Sequence, residues 1–349
     1  MSGQSLQAHL RSGCFAATRH GSEAAHIIGA LAEAAVAVRK LTTQGALNAG
    51  FASSRGSENS DGDIQKDLDV VADSIFIEAM RKSPVALYAS EENSFPLLLD
   101  RNSSLALAID PLDGSSNIET NVSIGTIFSI LPVEGDVKAE PEKTFLQPGS
   151  EQLAAGFVIY GPQLALVLTV GSGTKIFIQS SKYGDFIEAY DSVAIPKTSN
   201  EFAINASNYR YWFESVRSYV DDCFSGTDGP REKDFNMRWI ASLVADCYRI
   251  MVRGGVFLYP ADRRKGYGQG RLRLVYEANP IAFLVEQAGG KATNTIERIL
   301  DLVPEHLHQR TPLVFGSAEK VERVARYHVD PAMISERSPL FGNRGLFRA

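Results

Sequence analysis

The run Asp110-Pro111-Leu112-Asp113-Gly114-Ser115-Ser116 brings two carboxylates, a proline, a glycine and two hydroxyls together in one short stretch. A short apolar run, Leu105 to Ile109, precedes it and reads as a buried strand. Residues i and i+3 of a regular strand point to opposite faces, so Asp110 and Asp113 converge only where the chain turns. Pro111 supplies that turn by fixing its own φ and by keeping Asp110 out of the helical region. Gly114 lets the backbone approach a ligand closely, and its N–H and the hydroxyls of Ser115 and Ser116 are donors. A divalent cation on the carboxylates and a phosphate on the donors would satisfy both halves. Mg²⁺ is held in this way, by a few carboxylates plus phosphate oxygens.

Three further acidic groups need a place: Asp61, Asp63, Asp67 and Asp69 around a helix start, Glu91-Glu92 at a strand end, and Glu277. Acidic residues from several strand ends can meet at one edge of a sheet, as in two-metal phosphatases whose cations lie about 3.5–4 Å apart. Each group also has a purely structural reading. Paired aspartates near a Pro-Gly turn are ordinary turn chemistry. Acids at a helix start are favoured by the helix dipole, and Glu91-Glu92 alone reads as a solvated strand end. Six histidines and three cysteines are scattered without ligand spacing, so oxygen ligands dominate and Mg²⁺ or Mn²⁺ is favoured over zinc or iron. The basic counterpart is the loop Arg263 to Arg273. Its glycines do not fit a dinucleotide fingerprint, which leaves either a second phosphate site away from the metals or a solvated basic loop.

The elements that must carry these groups follow from periodicity. Helices are expected over about residues 22–42 and from near Lys66, where Leu68, Val71, Ile75 and Ala79 share a face. Strands are expected at Val85–Ala89, Leu105–Ile109, Ile124–Leu131, Ala154–Tyr160, Leu164–Val170 and Lys175–Gln179, with Gly135 to Gly149 as an exposed excursion. Ser192 to Asn200 reads as a domain junction. Beyond it come a strand at Phe202–Asn205, helices around 209–222 and 238–252, and a strand at Val256–Tyr259. A strand at Leu272–Tyr276 then leads to Glu277, a helix at Pro280–Gln287, a strand at Leu313–Phe315 and a closing helix near 318–327. Strands and helices mix throughout and some strands form meanders, so layered sheets with helices are expected, not a purely parallel fold.

Size and charge set the outer bounds. The chain has 349 residues, 44% hydrophobic and 22% charged, with a net charge of −6. That is enough for one large or two medium domains. The acidic balance argues against nucleic acid as partner. No run of about 18 apolar residues predicts a membrane span. Sparse, widely spaced cysteines and the absence of a signal-peptide pattern suggest a cytoplasmic protein.

Taken together, several segments resemble the class I fructose-1,6-bisphosphatase family, within the wider Mg²⁺-dependent, lithium-sensitive phosphatases. They are Gly62-Asp63, Leu68-Asp69-Val70, Ser90-Glu91-Glu92, Asp110 through Ile127, Arg238 through Asp246, Gly254 through Pro260, and Arg271 through Thr293. The resemblance implies an α/β fold, a layered αβαβα sandwich with two domains, placed here at 1–193 and 194–349. It implies a sugar bisphosphate substrate, hydrolysis of D-fructose 1,6-bisphosphate, two or more Mg²⁺ (or Mn²⁺) ions, and a homotetramer. Sedoheptulose 1,7-bisphosphate remains an alternative substrate, a non-catalytic sugar-phosphate sensor remains an alternative role, and the pathway is open between gluconeogenesis and photosynthetic carbon fixation.

By the same resemblance, Glu91, Asp110, Asp113 and Glu277 are metal ligands, with the Leu112 carbonyl. Asp63 is a ligand or orients water. Asp69 and Glu92 accept the proton of the attacking water. Asp113, Gly114, Ser115 and Ser116 face the 1-phosphate, and Asn205, Tyr259, Arg271 and a neighbouring subunit's Arg238 form the 6-phosphate pocket. The chain departs from the animal pattern at Trp239 and Asn208, where phosphate-binding tyrosines are common, and at Arg271, where a lysine usually stands. A Lys-Tyr pair that helps animal enzymes bind AMP is replaced by Ser104-Leu105, which argues against AMP inhibition through that pocket.

Overall fold

The computed structural model describes residues 3–12, 15, 20–44 and 65–330. Asp61, Gly62 and Asp63 lie outside the described residues, as does the side chain of Asp67.

A short helix α1 (Leu6–Leu10) precedes two long ones, α2 (Gly21–Gln44) and α3 (Gln65–Met80). The first sheet follows: β1 (Leu87–Ser90), β2 (Leu97–Leu98), β3 (Leu105–Asp113), β4 (Ile124–Pro132), β5 (Ala154–Tyr160), β6 (Leu164–Thr169), β7 (Thr174–Gln179) and β8 (Phe186–Tyr190). Its order is β2-β1-β3-β4-β5-β6-β7-β8. From β3 onward it is an antiparallel meander, whereas β1 and β3 are parallel.

The second half adds β9 (Glu201–Ala203), α4 (Glu214–Phe224), β10 (Asn236–Met237), α5 (Leu243–Arg253), β11 (Val256–Tyr259), β12 (Leu272–Arg273), α6 (Asn279–Gln287), β13 (Lys291–Thr293), β14 (Arg310–Thr311), β15 (Leu313–Gly316) and α7 (Ala318–Val329). Its mixed five-stranded sheet runs β10-β9-β11-β15-β13, and β12 pairs with β14 apart from it.

Period-2 alternation explains the layering. Along β6, Leu164, Leu166 and Leu168 face one core with α2 and α3, while Ala165 and Val167 face another with α5 and α6. The second core also takes Phe257 and Phe315 from the second sheet, so α5 and α6 lie between the sheets. On the far side of that sheet, Phe202, Val256, Leu258 and Val314 pack with α4 and α7. The result is a stack of helices, sheet, helices, sheet and helices. Because the central strands of the first sheet, β3 to β6, are covered on both faces, they are apolar nearly throughout, whereas the edge strands β2 and β8 are partly exposed.

Three expectations differ from the fold. Val275 and Tyr276 do not extend a strand, because β12 ends at Arg273 and Leu274–Ala278 forms one π-helical turn running into α6. A short apolar run without clear alternation cannot be told from buried helix by pattern alone. The 135–149 excursion is not wholly exposed: Phe145 and Thr144 are buried, and Phe145 joins a small core with Val275 and Tyr276. The helices expected around 209–222 and 238–252 begin later, at Glu214 and Leu243. In the second case Ser242 caps the helix, accepting from the Ala245 N–H.

Candidate active site

Parallel pairing sets Ser90 beside Ile109, so β1 and β3 end at the same edge and release Glu91 and Asp110 next to each other. At the end of β3 the register with β4 shifts between Asp110 and Asp113, a bulge that turns both carboxylates the same way. Asp110 accepts from the Leu112 N–H at 3.0 Å, which locks the turn. Asp113 accepts from the Val244 N–H at 3.1 Å, at the N-terminus of α5. That approach depends on Gly125 of β4, where a Cβ would lie 2.5 Å from a methyl of Val244. The π-helical turn supplies Glu277, whose carboxylate accepts from the Arg273 N–H at 2.5 Å.

Asp110, Asp113 and Glu277 each place a carboxylate oxygen within 4.8 Å of the others. They are 5%, 8% and 7% exposed, respectively. Burial, then the neighbouring Glu91, Asp113 and Glu277, raises the Asp110 pKa well above its ordinary value. Glu277 is raised in the same way, by burial and then Glu91. Asp113 is pushed to about 7 by burial, against the pull of the Val244 N–H. Like charges therefore crowd a desolvated site, and among the described residues none of the three has an ion-pair partner. Glu91 stands beside them, but its carboxylate faces Arg273, 3.2 Å away.

Asp69 comes from the first turns of α3. Burial, followed by the charge of Glu92, pushes it to about 7, and a Ser115 hydrogen bond pulls against that. One of its oxygens is buried without a partner. Glu92 is exposed at the strand end. Gly114 adopts φ 74°, which a side chain would strain, and a single 3₁₀ turn, Ser115–Asn117, follows. The first N–H groups of such a turn have no partner within it, which leaves Ser115 and Ser116 as anion donors.

A second cleft is lined by Asn205, Asn208, Tyr259, Arg264 and Arg271. Arg271 lies over the Tyr267 ring at 4.8 Å. Arg264 is clamped by Asp262 through several hydrogen bonds. Trp239 stacks on Tyr259, with centroids 5.9 Å apart and planes 9° from parallel. It thus fixes the tyrosine instead of offering a hydroxyl. Arg238 does not reach this cleft. It is exposed and lines a different one with Glu201, Asp246 and Arg249.

Sequence reasoning missed Gly125 and Asp246. Asp246 accepts from the Ile240 N–H at 3.3 Å, and burial pushes its pKa to about 7. It braces the turn at Ala241, a non-glycine residue at φ 65° whose carbonyl accepts from the Asn117 amide at 2.7 Å. No spacing signal reveals partners 124 residues apart.

The family model for the fructose-1-6-bisphosphatase N-terminal domain matches residues 17–191, and that for the C-terminal domain matches residues 195–329. The class 1 fructose-1,6-bisphosphatase of Rhizobium meliloti (strain 1021) is 62% identical over 349 residues, covering 100% of both chains. That of Rhodopseudomonas palustris (strain HaA2) is 52% identical, covering 92% of each. The crystal structure of Leishmania major fructose-1,6-bisphosphatase in holo form superposes with a TM-score of 0.83 at 30% identity, covering 94% of this chain and 100% of that one. With bulged carboxylates, layered sheets and both domain models in agreement along its length, the chain belongs to the class 1 fructose-1,6-bisphosphatase family.

Proposed function

We infer that this chain hydrolyses D-fructose 1,6-bisphosphate to D-fructose 6-phosphate and phosphate. The observation that carries the reading is the convergence of Asp110, Asp113 and Glu277 in a buried site. Three desolvated carboxylates with no ion-pair partner among the described residues fit a hard divalent cation. Asp110, Asp113 and Glu277 would hold Mg²⁺, or Mn²⁺, with the Leu112 carbonyl. Glu91, whose charge acts on Asp110, Asp113 and Glu277, would be a further ligand on leaving Arg273, and a fourth carboxylate supports two or more ions. Such an ion would supply positive charge to the ester oxygens and lower the pKa of water so that it is more readily deprotonated.

The chain's own groups do the rest. Asp69 takes a proton from the attacking water, and a pKa of about 7 makes it an effective acceptor near neutral pH. Glu92 raises that pKa by its charge, and Ser115 holds the carboxylate in place. Asp63, outside the described residues, orients water in the same reading. Gly114, Ser115 and Ser116 bind the scissile phosphate through N–H and hydroxyl donors. Arg271, Asn205 and Tyr259 bind the distal phosphate, Arg271 in bidentate fashion. The distal grip fixes the sugar so that the reacting phosphorus sits in one geometry.

The two units are 1–193 and 194–349, supported by the confinement of one sheet to each. The assembly is a homotetramer in which Arg238 reaches a neighbour's distal cleft, supported by its exposure away from its own cleft. The location is cytoplasmic. Among the described residues no helix is long and apolar enough to cross a membrane.

A phosphate-release assay with the fructose and sedoheptulose bisphosphates side by side, with and without Mg²⁺, tests the reading. Fructose 1,6-bisphosphate should be the better substrate, with turnover requiring the cation and lost by at least about 10³-fold in Asp113→Ala. Metal-independent turnover, or near-normal activity of Asp113→Ala, would contradict it.

A further inference from the structure

A further cleft lies on the outer side of the second sheet, where α7 meets the segment joining the two sheets. Its volume is about 290 Å³. That is close to the lower end of the about 300–1,000 Å³ usual for small-ligand sites. Five cations line it: Arg231, Lys233, Lys320, Arg323 and Arg326. Thr198 of the joining segment closes one wall, and the Glu319 N–H donates to the Lys197 carbonyl at 3.0 Å. The carboxylates of Asp110, Asp113 and Glu277 belong to a different part of the stack, between the first sheet and α5 and α6.

The cations here outnumber the carboxylates and form no ion pair with one among the described residues. Glu319 and Glu322 also line the cleft, but Glu322 is paired with Lys291 at 2.6 Å. Among the described residues no carboxylate lies within 4.0 Å of any of the five cations. Lys320 is only 6% exposed. Burying an ammonium without a counter-charge is costly, and the fold tolerates it where an anion completes the site. The neighbouring cations press in the same direction: burial, then Arg231, pulls the Lys320 pKa down to about 8. The cations are also held in place. Phe235 carries the Arg231 guanidinium at 4.6 Å and the Lys320 ammonium at 4.7 Å from its ring centre. Arg231 further lies over Tyr219 at 5.4 Å. Because Phe235 already serves two cations, a nucleobase stacked on it is disfavoured.

We propose that this cleft is a second anion site that binds the phosphate group of a small molecule, distinct from both phosphate positions of the catalytic centre. The guanidinium forks of Arg231, Arg323 and Arg326 match phosphate oxygens, and Lys320 contributes a point charge from below. Thr198 adds a hydroxyl donor at the wall formed by the joining segment. Free phosphate and a hydroxylated phosphate ester share this chemistry. The ester would also offer hydroxyls to Glu319.

Equilibrium dialysis of the full chain in chelator, against inorganic phosphate and against glycerol 3-phosphate, tests the proposal. The wild-type protein should bind one class of ligand that Arg323→Ala/Arg326→Ala lacks or binds about 10–100-fold more weakly, as expected for lost charge-assisted bonds. The same ligand should slow acetylation of Lys320, read by peptide mapping. KM for the bisphosphate, measured without added phosphate, should be unchanged in the double variant. The exposed Lys233→Ala serves if the double variant does not fold, with the same outcome in smaller degree. Whichever ligand binds more tightly identifies the source. Equal binding by wild-type and variant, with Lys320 labelled at the same rate throughout, would overturn the proposal.

Discussion

At the ends of β1 and β3, like charges crowd together behind apolar walls; in the Arg271 cleft the cations lie on rings or beside a carboxylate. Asp110, Asp113 and Glu277 have backbone N–H groups for company and raised pKa values. Arg271 rests on Tyr267, and Arg264 is bound to Asp262. The first region carries an excess of buried like charge, which the proposed cation would relieve. The second is nearly satisfied, so under the proposed function it would recognise a phosphate by adding one or two charge-assisted bonds. The proposed function accordingly gives chemistry to the crowded region and positioning to the satisfied one.

That contrast can be broken by substitution. The largest effect is expected from Asp69→Asn, which keeps shape but removes the proposed proton acceptor. Its kcat should fall by about 10²–10⁴-fold with KM little changed. Steady-state kinetics over a pH series checks this, because the acid limb set by Asp69 should vanish as well. Arg271→Ala should act mainly on KM, raising it by about 10–100-fold, and Arg271→Lys should recover part of the loss. A fall in kcat alone would move Arg271 out of the distal cleft. Trp239→Ala removes one face of the Tyr259 stack and should raise KM only about 2–10-fold, with Trp239→Phe restoring most of it.

The same contrast shows in stability without metal. Asp69 and Asp113 have folded pKa values near 7, above the ordinary carboxylate value. Groups raised in this way favour folding fully only below their unfolded pKa. Their contribution is lost as pH rises through the folded value. In chelator, the melting temperature should therefore fall by roughly 5 °C between pH 5.5 and 8. Saturating Mg²⁺ should flatten that slope, since a ligand of the folded state stabilises it by mass action. A flat profile in chelator would mean that the carboxylates are not strained.

Much of this fold is legible in the sequence because buried strands and amphipathic helices leave periodic marks. Ala154–Tyr160 and Val256–Tyr259 form strands over the expected bounds. The acidic groups are likewise visible by type, although a carboxylate pair around Pro111 taken alone reads equally as turn chemistry. What pattern cannot show is the long-range fit. Val244 reaches Asp113 from 131 positions away, and only because Gly125 leaves room for it. Glu277 reaches the site from a π-helical turn that the largely apolar stretch Leu272–Tyr276 disguises as a strand. Phe145 is drawn under a segment of polar and turn-forming residues by Val275 and Tyr276, which are remote in sequence. Asp246 gives no local hint of the turn it braces.

The central claim is that Asp110, Asp113 and Glu277 are held together to take a divalent cation, at the cost of protonation when none is bound. Calorimetric titration of Mg²⁺ at pH 7, in two buffers of different ionisation heat, reads binding and proton release at once. The account predicts saturable binding with release of roughly one proton or more per chain, and loss of both in a folded Asp110→Asn variant. Binding without proton release, or an Asp110→Asn titration that overlays the wild type, would contradict it.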